Sequence, residues 1–377
     1  MAAVIGEKDY QLVRLGRLML IVCATLIISC GAHAVPPADR VAVLARGINI
    51  THWFRFPPDA RPEALDRYLS GTALRELRNA GFSFVRIPVQ PELLLGSPAV
   101  AVALGTAVRQ AEQSGLAVIV AVAPTTWHLE SSAADRQALI AAWQNLGRAM
   151  RPLPVRLTFP ELLNEPVFPD DAAGWWALRE RVRVVVRTAL PNATIVLTGH
   201  DWGSVRGLIE LRPAPDGNVI YSVHFYDPAE LTSLAAWTPD LNRGALARLP
   251  FPVVDGEACE AGVAGVEPTT AGVWRFYCAQ GWNEAAIAQR INQAAEWGRR
   301  NHAVVLLGEF GASAMLNRAA RLAWLGSVRR TSEANGMGWA LWGYDDVMGF
   351  SVPVRRRNES PVLDSGVLAA LGLWRGD

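Results

Sequence analysis

The sequence predicts an α/β protein: a (β/α)8 TIM barrel forming a single domain, with an insertion after strand six. Three observations carry this. Eight segments read as strands, and most are continuous apolar runs rather than alternating ones, as expected where both faces of a parallel sheet are covered. Amphipathic helical segments lie between them. Eight such units fit a closed barrel of about 250 residues plus insertions, within the 377 residues of the chain. The competing architecture, a doubly wound open sheet, would need a Gly-x-Gly-x-x-Gly turn after the first strand, and that turn is missing.

Strand one is expected over Ala45 to Ile50. A helix over Ala73 to Ala80, stopped by Gly81, leads to strand two at Ser83 to Val89. A helix from Val100 to Ser114 ends at Gly115 and gives way to the wholly apolar strand three, Leu116 to Ala123. The helix Ala133 to Met150 precedes strand four, Val155 to Leu163, which runs into Asn164-Glu165-Pro166. Gly174 to Leu190 is helical, and strand five covers Thr194 to Thr198. A short helix, Val205 to Leu211, leads to strand six, Val219 to Tyr226. The surplus segment 227–283 follows, rich in aromatics (Trp237, Phe251, Trp274, Phe276, Tyr277, Trp282), and a loop of that length must be functional or carry its own substructure. The helix Ala285 to Arg300 then leads to strand seven, Ala303 to Leu307, ending at Gly308-Glu309-Phe310-Gly311. Ala319 to Ala334 is helical, strand eight is Gly338 to Trp342, and a helix over Val367 to Trp374 closes the chain.

Composition agrees with a large core: 51% of residues are apolar and 19% charged, with 14 Trp, 11 Phe and 6 Tyr. The lone lysine is Lys8, inside a segment expected to be removed, so Schiff-base, pyridoxal-phosphate and P-loop chemistry are excluded. Residues 1–34 read as a secretory signal peptide: Arg14 and Arg17, a 12-residue apolar run from Leu18 to Ser29, then Ala32-His33-Ala34. That run is short of the roughly 20 residues a membrane span needs. A secreted or periplasmic protein comprising residues 35–377 is therefore expected. The alternative is a lipoprotein signal, with Ile27-Ile28-Ser29 leading to a lipidated Cys30 that anchors the chain. Loss of 1–34 would leave acidic and basic residues in equal number, without long basic runs, so neither nucleic acid nor an anionic membrane is an expected partner, and a monomer is expected. In an oxidising compartment Cys259 and Cys278 are expected to form a disulfide, two separate buried thiols being the alternative. No Cys/His cluster has zinc spacing, and no metal or organic cofactor site is expected.

Active groups of such a barrel lie at the C-terminal ends of its strands. Two glutamates stand there, Glu165 after strand four and Glu309 after strand seven. Each follows an apolar run, where an unpaired charge is costly. Strands four and seven lie across the ring from one another, so the two carboxyl groups can face each other, as glycoside hydrolysis requires. The simpler alternative is that each anchors a loop or pairs with a local arginine.

With these residues in place, the chain resembles glycoside hydrolase family 5, the retaining barrel family of many cellulases. Asn164-Glu165-Pro166 and Gly308-Glu309-Phe310-Gly311 resemble its acid/base and nucleophile signatures. Arg46-Gly47-Ile48-Asn49, Phe84-Val85-Arg86-Ile87-Pro88, His224-Phe225-Tyr226 and Trp339-Ala340-Leu341-Trp342 match in order, and the resemblance covers about residues 45–350. It implies that Glu309 is the nucleophile and that Glu165 is the acid/base, with a pKa raised above that of Glu309. It also implies that Asn164 binds the sugar 2-OH, Arg86 orients the nucleophile, Tyr226 bonds it, His224 supports the acid/base or the substrate, and Trp342 stacks on a sugar. The family's histidine after strand three is missing. His128, within Trp127-His128, is either its replacement or an uninvolved loop residue. Trp53, with His52, is expected to face substrate because it follows strand one. The implied activity is a secreted retaining hydrolase cleaving within β-glucan chains, foremost an endo-β-1,4-glucanase, without cofactor, whose partner is a β-linked polysaccharide or oligosaccharide. β-Mannan, β-1,3-glucan and bacterial exopolysaccharide are alternative substrates, and a polysaccharide-binding barrel without turnover is the alternative class.

Overall fold

The computed structural model describes residues 35–350 and 361–374. The segment 1–34, with its expected export signal and Cys30, lies outside them. Eight parallel strands close into a barrel in sequence order. They are β1 (Arg46–Asn49), β2 (Phe84–Val89), β3 (Ala117–Val122), β4 (Thr158–Glu161), β5 (Ile195–Thr198), β6 (Val219–Phe225), β7 (Val304–Phe310) and β8 (Gly338–Leu341). The helices of the outer ring are α1 (Gly71–Asn79), α2 (Pro98–Gln113), α3 (Ala133–Met150), α4 (Ala172–Ala189), α5 (Val205–Ile209), α6 (Glu284–Arg300), α7 (Arg318–Ala334) and α8 (Ser365–Ala370). Side-chain oxygens of Ser70, Ser132, Asp171 and Asn317 accept from backbone N–H groups at the starts of α1, α3, α4 and α7, satisfying donors a helix end leaves free. Among the described residues, no helix is long and apolar enough to cross a membrane.

The strands bury two kinds of surface. Outward residues such as Val85, Ile87, Leu197 and Leu307 pack into the large core shared with the helices. Inward residues form a separate cluster that fills the lower barrel: Leu44, Phe84, Ala117, Ile119, Phe159, Val196, Ile220, Leu306 and Ala340. Gly47 makes room for this filling, since a Cβ there would lie 2.2 Å from the Phe84 ring. Because side chains alternate along a strand, two residues further on each chain faces inward again, and there the lining turns polar: Arg86 above Phe84, Glu161 above Phe159, Thr198 above Val196, Ser222 above Ile220. The site therefore rests on an apolar plug that holds its residues in place.

The segment 227–283 has its own substructure, with helices Ala229–Thr232, Arg243–Leu246, Gly256–Ala261 and Pro268–Gln280. Cys259 and Cys278 are joined in a disulfide between the last two, 19 residues apart. Trp274 Nε1 donates to the Cys259 carbonyl at 2.8 Å, and Tyr277 donates to the Pro250 carbonyl. Closing a loop of this length contributes about 3 kcal/mol in the chain-entropy model. The double variant Cys259→Ser/Cys278→Ser is expected to lose that much, seen as a lower urea midpoint or an early unfolding step. A midpoint equal to the parent's would show that the helices hold without the bond.

Candidate active site

Glu309 owes its orientation to an irregularity in β7. Leu306 faces the barrel interior and Leu307 faces the helices. In a regular strand Glu309 would share the outward face of Leu307. Instead the register against β6 slips by one residue, with Val223 opposite Leu307 and His224 opposite Glu309, and a matching slip occurs against β8. Gly308 is the extra residue, and a bulge re-aims the side chain that follows it. Glycine is required there because a Cβ at 308 would sit 2.1 Å from Ser222 Oγ. The expected end of strand seven at Leu307 is thus overtaken: the strand runs on to Phe310 and turns the carboxylate inward. Glu165 is held by a different device, a left-handed backbone with φ of 44°. Such a conformation costs about 1 kcal/mol or more in a non-glycine residue.

The two carboxylates meet at His224. Its Nδ1 lies 3.0 Å from Glu165 Oε1 and 3.4 Å from Glu309 Oε2, and ligating atoms of all three residues fall within 4.8 Å of one another. Tyr226 donates to Glu309 Oε2 at 2.9 Å, and Asn164 Nδ2 lies 3.5 Å from Glu165 Oε2. Glu309 is 3% exposed and Glu165 26% exposed, so the second faces the open mouth. The same trio could approach a cation, but the Arg86 guanidinium is 2.6 Å from Glu309 and opposes a second positive charge there.

Arg86 organises the floor, and all five of its N–H donors are used. Nε and Nη2 form a two-pronged pair with Glu161, each at 2.7 Å. Nη1 reaches Glu309 at 2.6 Å and Asn49 Oδ1 at 2.9 Å, and Nη2 reaches Asn164 Oδ1 at 2.8 Å. Asn49 passes its own N–H groups to the carbonyls of Gly308 and Leu341, tying the bulge to β1 and β8. Thr198 donates to Glu161.

Burial alone would discharge these groups, and their neighbours decide the outcome. For Glu309, burial raises the pKa, the Glu165 charge adds to it, and His224 and Arg86 only partly offset them, so the direction is upward. Glu165 moves the other way: burial raises it, but the hydrogen bond and charge of His224, then Arg55 and Arg86, outweigh that and hold it below the usual carboxylate value. For His224, burial lowers the pKa, and the charges of Glu309 and Glu165 overcome it, so the imidazole holds its proton more tightly than usual. Burial, with Glu309 next, pushes Tyr226 up, so it stays a donor. The expectation that the surroundings raise Glu165 above Glu309 does not hold in the free site. There the two carboxyl groups move in opposite directions, with His224 bonded more closely to Glu165 than to Glu309.

Most of the expected residues converge here: Glu165, Glu309, Arg86, Asn164, His224 and Tyr226 form one bonded network. Trp342 adjoins it, nine-tenths buried, with its indole bonded to Asp346. Trp53 does not join. It is fully buried, donates to the Leu65 carbonyl at 2.8 Å and packs on Tyr68, because its helix turns that face into the core. His128 does not join either: its side chain is 76% exposed and 3.6 Å from Glu130, on a loop pointing to solvent. Glu161, Asn49 and Arg55 were not foreseen. Glu161 had a signal, a lone charge at an inward position of β4 with Arg86 as the matching charge on β2.

A family model described as cellulase, glycosyl hydrolase family 5, matches residues 51–346. The chain is similar to Endoglucanase 3 of Fibrobacter succinogenes, 28% identical over 213 residues, which are 54% of this chain and 32% of that protein. It is 20% identical over 325 residues to Endoglucanase H of Acetivibrio thermocellus, covering 83% of this chain and 31% of that one. It therefore spans about a third of the length of these two curated relatives. The barrel superposes on endoglucanase Cel5A of Thermotoga maritima with a TM-score of 0.70 at 21% identity, covering 89% of this chain and all of that one. That protein is also known in complexes with cellobiose and with mannotriose.

Proposed function

The chain belongs to glycosyl hydrolase family 5, and from that premise we propose that it is an exported retaining glycosidase that cuts within β-1,4-glucan chains. One observation carries the reading: the carboxylate oxygens of Glu165 and Glu309 approach within 4.8 Å across the mouth. Retaining enzymes hold their carboxyl groups about 5–5.5 Å apart, and inverting enzymes need roughly 6.5–9.5 Å to admit a water between acid and base. Export is supported by the signal pattern of residues 1–34 and by the disulfide.

In this mechanism Glu309 attacks the anomeric carbon and Glu165 protonates the departing oxygen. Water then releases the sugar, with Glu165 as base. The proton reaches Glu165 from His224 along their 3.0 Å contact. A bound sugar covers the open side of Glu165, and desolvation favours the neutral pair over imidazolium and carboxylate. Arg86 and Tyr226 meanwhile stabilise the ionised Glu309. The Trp342 face suits the apolar face of a pyranose.

A bell-shaped pH profile of kcat/KM follows. The acid limb requires Glu309 to lose its proton and should lie above the ordinary carboxylate value, since burial raises that group. The basic limb requires the proton shared by His224 and Glu165 to stay. It should lie above the ordinary histidine value, since the two carboxylates outweigh burial at His224. Glu165→Gln should lower the rate on soluble β-1,4-glucan by about 100-fold or more and flatten the basic limb. A basic limb unchanged in that variant would remove Glu165 from the acid role. A panel of β-1,4-glucan, β-mannan and β-1,3-glucan, read by reducing ends, tests the substrate. Faster release from mannan or β-1,3-glucan would replace the glucan assignment, and no release from any would leave a binding barrel.

A further inference from the structure

We propose that Arg55 is a receptor for a carboxylate carried by the glycan, so that the preferred substrate is an acidic β-glycan with a uronic acid at or beside the sugar that stacks on Trp342. This rests on the glycosidase reading above and names its substrate class.

Arg55 follows the short helix Thr51–Phe54 at the C-terminal end of β1. Asp345 fixes that helix by accepting from the backbone N–H groups of Thr51 at 2.8 Å and His52 at 3.1 Å. The Arg55 guanidinium carbon lies 5.0 Å from the Phe56 ring centre and 5.9 Å from that of Trp342. Its Nε is buried without a hydrogen-bond partner. Among the described residues no carboxylate pairs with it, whereas Arg86 a short distance away has every donor engaged. A half-buried guanidinium close to two aromatic rings, with a buried Nε that no described residue satisfies, is suited to an outside ligand. A sugar hydroxyl could satisfy one donor. A carboxylate matches the fork of two parallel N–H groups and supplies the opposite charge. The position on Trp342 restricts that group to a sugar near the scissile bond.

The site's electrostatics agree. Arg55 is among the charges that hold Glu165 down. Neutralising it with a substrate carboxylate would lift Glu165 toward the protonated form the first step needs, while Arg86 continues to hold Glu309 ionised.

The test is equilibrium binding by calorimetry of a matched pair: a cello-oligosaccharide, and the same oligosaccharide oxidised at C6 to carry glucuronic acid. Glu309→Gln is the background, so that turnover does not interfere. The carboxylated ligand should bind about 10-fold or more tighter than the neutral one. Adding Arg55→Ala should bring the ratio to about one, Arg55→Lys should restore only part of it, and salt should shrink it. Equal affinities in the background protein, no binding of either ligand, or a ratio that survives Arg55→Ala would each overturn the proposal. Equal weakening of both ligands in Arg55→Ala would make Arg55 a neutral hydroxyl contact and overturn it as well. The glycosidase reading fails separately: an unsubstituted parent that binds with the expected ratio but cleaves neither ligand would end that reading alone.

Discussion

Glu309→Ala is expected to reduce turnover of a soluble β-glucan by about 10,000-fold or more, with little loss of folding stability. The loss should be that large because a covalent intermediate has no second route: Glu165 lies on the far side of the bond and His224 faces both carboxylates rather than the sugar. Stability should hold because removing the carboxylate leaves Arg86 with Glu161, Asn49 and Asn164 as partners. The methyl group also leaves a space in which a small anion fits beside Arg86 and Tyr226. Azide should therefore restore part of the activity and yield a glycosyl azide of inverted configuration, since one displacement replaces two. Full activity in the variant, or azide product of retained configuration, would sink the assignment of Glu309 as nucleophile.

The second large effect belongs to Arg86→Ala, and here both folding and activity should fail. The substitution removes the guanidinium that pairs with Glu161, which is fully buried, and with Glu309, which is nearly so and keeps only His224 in ion-pair contact among the described residues. An uncompensated buried charge of this kind costs about 3–5 kcal/mol. Arg86→Lys should rescue little, because an ammonium group is a point charge with three donors and cannot span the pair to Glu161 while reaching Glu309, Asn49 and Asn164. The double variant Arg86→Met/Glu161→Gln separates the two effects. It should regain stability, because the buried charge and its partner leave together. It should stay impaired in turnover, because Glu309 has lost its anchor. Chemical denaturation with parallel kinetics checks both. If Arg86→Ala kept the parent's unfolding midpoint, the network beneath the mouth would be without structural consequence.

The barrel was legible because its evidence is local. Short, β-branched apolar runs such as Leu116–Ala123 fit strands covered on both faces, and helical periods between them leave few ways to connect eight of them. Strand ends then bring Arg86, Glu165, His224, Tyr226 and Trp342 to one mouth by topology alone. Element ends were less legible. Strand four was read too long, since Val155 to Leu157, apolar but for Arg156, lie in a turn before β4. Among the described residues outside 227–283, four short helices at Ala38–Ala42, Thr51–Phe54, Pro62–Asp66 and Pro91–Gly96 were missed because one or two turns leave no measurable period.

By itself, the sequence determined the fold and the two facing glutamates, since each depends on pattern along a strand and on which end of the barrel that strand reaches, whereas Arg86, Asn164, His224 and Tyr226 were indicated by the resemblance to the family. Only the tertiary structure decided four further matters: the bulge at Gly308 that turns Glu309 inward, the burial of Trp53, the retreat of His128 into solvent, and the partners of Arg86 together with the place of Arg55 beside two aromatic rings. It also reversed the expected order of the two glutamates, because His224 stands between them and bonds Glu165 more closely. The physical reason is common to all. A strand's pattern gives the facing of its regular positions, but a slip in register, the packing of a short helix and a charge's partner depend on contacts of 3 to 4 Å between residues far apart in the chain.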